Sequence, residues 1–218
     1  MAPRSFERSA TIPFLGSDGE RGWALEGLFI PGPDADCEGA VIAPPHPLYG
    51  GSMDTPVATE IALACEKSGL TSLRFNWRGV GASAGEVSGE ESEADEDYAA
   101  AFAHLAASVS GAVVACGYSF GAAAALRAAA GQPRIRRLLL VAPPPPLIDG
   151  AQLAAFPGRI LVVVGERDAI ASAAQLAQML EPCPHARLEV VPGTDHFFMT
   201  GLAELGRAAA SFLGRISH

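Results

Sequence analysis

Basic charge is scarce in this chain: 15 Lys and Arg stand against 24 Asp and Glu in 218 residues, a formal net charge of −9 with a pI near 5.0. A nucleic-acid footprint needs clustered Lys and Arg to neutralise phosphates, and no such cluster exists here, so no nucleic-acid partner is expected. Cysteine is sparse as well. Cys37, Cys65, Cys116 and Cys183 lie far apart, with no C-x-x-C pair and no histidine at metal-ligand spacing. That argues against a zinc site and a disulfide framework, and fits a reducing cytoplasm. Long apolar runs are missing too: no stretch reaches the roughly 18 residues of a membrane span, and the opening "MAPRSFERSATIPF" lacks the apolar centre of a signal peptide. A soluble cytoplasmic protein without a membrane partner is expected. The 49% hydrophobic content is enough for a substantial core, and one domain over residues 1–218 is the expected organisation.

What is present is an alternation. "WALEGLFI" (23–30), "GAVIAPPH" (39–46), "LTSLRFNW" (70–77), "GAVVACG" (111–117), "RRLLLVAP" (136–143), "RILVVVG" (159–165) and "ARLEVVPG" (186–193) read as strands. Between or after them, 55–69, 90–108, 120–131 and 201–215 carry helical spacing, with Gly69 and Gly131 as stops. Near-continuous Val/Leu/Ile strands alternating with helices predict a mostly parallel α/β sheet covered on both faces. The proline run 143–146 is expected to be an extended, stiff connector.

Reactive groups in such a sheet gather at the C-terminal ends of the strands. "GYSFG" (117–121) sits between a strand and a helix, the required context of a G-x-S-x-G turn. A sharp turn strains the serine backbone, and side chains at 117 or 121 would collide with the neighbouring strand or helix. Ser119 is therefore the candidate nucleophile. A serine hydroxyl needs a base that is itself oriented by a third group. Of five histidines, His218 is terminal, His185 precedes its strand and His104 lies within a helix, which leaves His46 and His196 just after strands. "VVPGTDHFF" puts His196 after the last strand, and "VVVGERDAI" puts Asp168 after the strand before it. Ser119, Asp168, His196 is thus the nucleophile–acid–base chain order of one particular fold. Glu166 is the reserve acid; Asp195, adjacent to His196, is poorly placed to bind its ring.

The segments "PPHPLYGGSMDTPV", "LRFNWRGVGASAGE", "GYSFGAAAA", "LVAPPP" and "PGTDHFF" together resemble the α/β-hydrolase superfamily, and more narrowly a group of small, lidless, esterase-like bacterial members. The resemblance runs from about residue 10 onward. It implies an eight-stranded, mainly parallel sheet without a cap domain, and hydrolysis of a small ester or thioester with no cofactor or metal. It also implies an oxyanion hole. One donor would be the amide of Phe120, at the N-terminus of the helix after Ser119. The other would come from "HPLYGG": Pro47 has no N–H to give, so Leu48 is first choice and Tyr49 second. His46 would brace that loop. Between the strands ending near Val141 and starting near Arg159, the chain is too short for a helical cap. A shallow cleft walled by Leu48, Tyr49, Phe120, Phe197 and Trp77 is expected, suited to short-chain carboxylic esters. The rivals are an acyl thioesterase with the same triad and a non-catalytic binding protein of the same fold.

Two other features take plainer readings. "GVGASAG" (79–85) does not fit a dinucleotide-binding loop and is expected to be a turn. The acidic run "EVSGEESEADED" (86–97) is expected to be a solvated helix start, favoured by the helix dipole.

Overall fold

The computed structural model describes residues 7–14, 22–34 and 36–214. The expected end of the last helix at 215, and His218, lie outside them. The chain runs β1 (Arg8–Phe14), β2 (Trp23–Ile30), β3 (Gly39–Ala43), α1 (Pro56–Lys67), β4 (Thr71–Phe75), α2 (Glu91–Ala106), β5 (Val113–Tyr118), α3 (Phe120–Gly131), β6 (Ile135–Val141), α4 (Gly150–Ala155), β7 (Arg159–Gly165), α5 (Ala173–Leu180), β8 (Ala186–Val191) and α6 (Leu202–Leu213).

The eight strands form one sheet in the order β1-β2-β4-β3-β5-β6-β7-β8. β2 is antiparallel to both of its neighbours, while β3 to β8 are all parallel. α1 packs against α6 on one face, and α2 against α3 on the other. This is the α/β-hydrolase fold. The central strands β3, β4 and β5 are buried at every residue, which is why their sequences run apolar without alternation. Every βα turn therefore opens on one edge of the sheet, where the candidate residues lie.

Three local expectations need correction. The strand read over 39–46 is shorter: β3 stops at Ala43 because Pro44 and Pro45 cannot donate to a ladder, whereas β6 ends at Val141 as expected, before Ala142, which takes a positive φ of 45°. The proline run is not extended throughout. Pro145–Leu147 closes a 3-10 turn, with Leu147 N donating to Pro144 O (2.9 Å), and α4 follows, started by Asp149 Oδ1 accepting from Ala151 N (2.8 Å). That turn and one six-residue helix are all the regular structure between β6 and β7, so among the described residues no helical cap is inserted there.

The acidic run is the third. Glu90 and Glu91 are exposed as expected, but Asp97 is buried and binds Arg78, itself buried, through Arg78 Nε (2.9 Å), Nη2 (2.8 Å) and backbone N (2.9 Å). Glu93 (3.1 Å) and Glu96 (2.9 Å) complete the cage, and the guanidinium lies 5.4 Å from the centre of the Phe14 ring. Burial pushes the Asp97 carboxyl up, and the Arg78 hydrogen bonds oppose it. The cage fixes the start of the loop after β4 onto α2. Without Asp97 the buried Arg78 loses two guanidinium bonds and one backbone bond and keeps the more exposed Glu93 and Glu96, and breaking a buried pair costs about 3–5 kcal/mol. Asp97→Ala should therefore lower Tm by about 6–20 °C for a chain of this size. Glu90→Ala should leave it unchanged. Thermal melts of the two variants check this; equal melting temperatures would mean that the cage is not a stabilising contact.

Candidate active site

The turn after β5 explains its glycines. A Cβ on Gly117 would run into the carbonyl of Gly121, and a Cβ on Gly121 would run into the carbonyl of Pro44. Ser119 between them sits at φ 54°, ψ −117°, a strained backbone for a residue with a side chain. Its N–H is tied to Val141 O (2.8 Å). The strain points its hydroxyl out over the sheet edge, at the start of α3.

Ser119 Oγ lies 3.0 Å from His196 Nε2, and His196 Nδ1 lies 2.8 Å from Asp168 Oδ2. All three are buried, at 7%, 7% and 9% exposure. The other carboxylate oxygen, Asp168 Oδ1, accepts from Ile170 N (2.8 Å) and Ala171 N (2.7 Å), so the acid is held by its own loop after β7. With Nδ1–H donated to the carboxylate, Nε2 is left as an acceptor facing the hydroxyl. The three residues, far apart in sequence, are brought into one hydrogen-bonded chain.

The neighbouring acids do other work. Glu166 Oε2 accepts from Gly193 N (2.7 Å), and Arg167 N donates to Thr194 O (2.8 Å), which together lash the loop after β8 to the loop after β7. Asp195 Oδ1 accepts from Phe197 N (3.2 Å) and Met199 N (3.3 Å), capping the tight turn that carries His196.

Of the oxyanion candidates, Phe120 is the first residue of α3, so its N–H has no intrahelical acceptor. Leu48 is less simple. Its N–H donates to His46 Nδ1 at 3.3 Å, while Tyr49 N (3.1 Å) and Gly51 N (3.1 Å) both donate to His46 O. The Tyr49 amide is thus taken by the 3-10 turn Pro47–Tyr49. His46 is half-buried and its ring packs on Phe120 (centroids 4.6 Å apart) and Tyr49 (4.8 Å). Burial lowers its pKa, favouring the neutral ring that can accept from Leu48.

The expected cleft wall is partly wrong. Trp77 is fully buried and donates its indole N–H to Pro45 O (3.0 Å) and Pro44 O (3.3 Å), so it braces the loop after β3 rather than standing exposed at a cleft wall. The Phe120 side chain is buried as well, between His46 and Trp77. Leu48 (60% exposed), Tyr49 (87%) and Phe197 (63%) are exposed, as is Met199 (80%), three residues after His196. One further contact was not anticipated: Tyr118, inside the G-x-S-x-G turn, donates its hydroxyl to His196 O at 2.8 Å.

Among solved structures, an α/β-hydrolase-like protein of unknown function from Agrobacterium tumefaciens is similar at 28% identity and TM-score 0.82, with 94% of each chain covered. A serine hydrolase without a lid from Xanthomonas campestris is similar at 30% identity and TM-score 0.78, over 94% of this chain and 93% of that one. An uncharacterised Rickettsia prowazekii protein is 29% identical over 213 residues, which is 93% of this chain and 87% of that protein. The sequence model of the alpha/beta hydrolase family matches residues 28–162, more than half of the chain. With that match, and a sheet whose order and direction agree with it, the chain belongs to the alpha/beta hydrolase family.

Proposed function

We propose that this protein is a serine carboxylesterase acting on short-chain esters, with Ser119 as nucleophile, His196 as general base and Asp168 as the acid that orients it. The observation that carries the reading is the chain of contacts from Ser119 Oγ to His196 Nε2 (3.0 Å) and from His196 Nδ1 to Asp168 Oδ2 (2.8 Å) at an uncapped sheet edge. Ser119 Oγ attacks the ester carbonyl as His196 Nε2 takes its proton. The imidazolium is stabilised by Asp168 and returns the proton to the leaving alkoxide, giving the alcohol and an acyl-Ser119 ester. Water, deprotonated by the same nitrogen, then attacks that ester, and the proton goes back to Ser119 Oγ as the acid leaves.

The negative charge on the carbonyl oxygen develops beside the α3 N-terminus, where the Phe120 N–H and the helix dipole both favour it. Leu48 N–H is the second donor. Its bond to His46 Nδ1 is long at 3.3 Å, and an oxyanion, as a charged acceptor, competes well against a neutral ring nitrogen.

Acyl preference follows from the open edge. Each methylene contributes about 0.8 kcal/mol only while it is enclosed, and Leu48, Tyr49, Phe197 and Met199 are largely exposed to solvent, which favours a short acyl group. Specificity, as kcat/KM over p-nitrophenyl esters from acetate to palmitate, should peak at or below about six carbons and gain nothing beyond. A maximum at ten carbons or longer would require an enclosed acyl channel and would overturn the short-chain assignment.

The reaction class is tested by running that panel beside acetyl-CoA. The net charge of −9 disfavours the phosphates of CoA, so the oxygen esters should turn over faster. Faster acetyl-CoA turnover would replace the esterase reading with a thioesterase using the same residues.

A further inference from the structure

In this fold the nucleophile and the base hang from different strands. Ser119 is fixed by β5 and α3, whereas His196 rides on the loop after β8, three strands along the sheet. The ties already described, from Glu166 to Gly193 and from Arg167 to Thr194, fasten the base loop to the loop of Asp168. They set the base against the acid. They do not set the base against the serine.

Tyr118 does. It is the last residue of β5, one position before Ser119, and its side chain is 5% exposed. Its hydroxyl donates to the backbone carbonyl of His196 at 2.8 Å, spanning the two loops directly. Its ring lies 5.7 Å from the His196 ring and 6.4 Å from that of Phe198, the latter edge-on at 87°. Phe198 is buried and takes a positive φ of 53°, so the turn that presents His196 is tight as well as capped by Asp195.

We propose that Tyr118 is a positioning residue for the base: its bond to the His196 carbonyl sets the separation between the nucleophile turn and the imidazole. The proposal rests on the serine-hydrolase reading above. Burial raises the phenol pKa far above its usual value, with Asp168 and Asp195 adding to the effect, so the hydroxyl remains a donor throughout the working pH range. The imidazole must accept from Ser119 and later deliver a proton to the leaving group, both over about 3 Å. A displacement of about 1 Å from such geometry costs on the order of 100-fold in rate. With only 5% of its surface exposed, Tyr118 offers a substrate little to bind, so its role should appear in kcat rather than KM.

The test is Tyr118→Phe, which keeps the ring and deletes only the donor. kcat should fall by about 10- to 100-fold, while KM stays within about twofold and Tm falls by no more than about 12 °C, the cost of leaving one buried acceptor without its donor. The rate at which an alkyl fluorophosphonate labels Ser119 should fall with kcat, since labelling needs the same base in the same place. Tyr118→Leu, which also removes the ring, should lose at least as much kcat and more Tm. If the Phe variant keeps wild-type kcat and labelling rate, the hydroxyl does not position the base and the proposal is overturned, whatever the Leu variant does. If kcat and KM worsen together with a large drop in Tm, Tyr118 is a packing residue and the proposal is equally overturned. Failure of the underlying reading looks different: wild-type Ser119 would then not be labelled by fluorophosphonate at all, and the Tyr118 role would fall with it.

Discussion

Ser119→Ala and His196→Ala are each expected to lower kcat by roughly three to six orders of magnitude, and the double variant to lose little more than either alone. The two side chains act as one unit through the 3.0 Å contact between Oγ and Nε2. Without the hydroxyl there is nothing to acylate, and without the ring the hydroxyl keeps its proton. The fold should survive both changes. Ser119 sits in a strained turn that alanine tolerates as well as serine does, and the His196 backbone stays held by Tyr118 and by the Asp195 cap. The measurement is steady-state hydrolysis of p-nitrophenyl acetate with far-UV circular dichroism as the fold control. A folded Ser119→Ala protein with more than about a tenth of wild-type kcat would remove Ser119 as nucleophile.

Asp168→Asn should cost about 10³- to 10⁴-fold in kcat, through the tautomer. An asparagine keeps an oxygen for the backbone N–H groups of Ile170 and Ala171, which now bond to Asp168 Oδ1, so the loop stays in place. Its amide NH₂ then faces His196 Nδ1, where Asp168 Oδ2 stands at 2.8 Å. A donor there forces the ring to carry its proton on Nε2. In that tautomer the ring cannot accept from Ser119, so the loss appears in kcat with KM nearly unchanged. Glu166→Gln is the control, since the Glu166 carboxylate accepts from the Gly193 amide and a glutamine oxygen can do the same. Near-normal activity in Asp168→Asn together with a large loss in Glu166→Gln would transfer the orienting role to Glu166.

Much of the fold is legible in the sequence for a physical reason: the fold places its reactive groups at strand ends, and strand ends are marked by where apolar runs stop. Gly117, Ser119 and Gly121 carry their own explanation in five adjacent residues. β1 was not foreseen, because it is an outer strand with most residues exposed and only Ile12 fully buried, so its apolar signal is one residue deep. Trp77 was misplaced because an aromatic residue near a strand end reads the same whether it faces the cleft or braces the loop beneath it. The acidic run misled for a related reason. Asp97 falls on the same face of α2 as the buried Ala94, Ala101 and Leu105, so its burial was readable from spacing; its partner Arg78, 19 residues away, was not. The bond from Leu48 N to His46 Nδ1 depends on the turn closing as a 3-10 helix, which residue types alone do not dictate.

The central claim is that Ser119 carries the acyl group. It is tested most directly by mixing the protein with p-nitrophenyl butyrate, quenching in acid within milliseconds and reading the intact mass, then mapping the modified peptide. A single butyryl adduct on Ser119, formed and lost at rates consistent with kcat and absent from Ser119→Ala, is the predicted result. Turnover with no adduct on any time point, or an adduct on a residue other than Ser119, would contradict it.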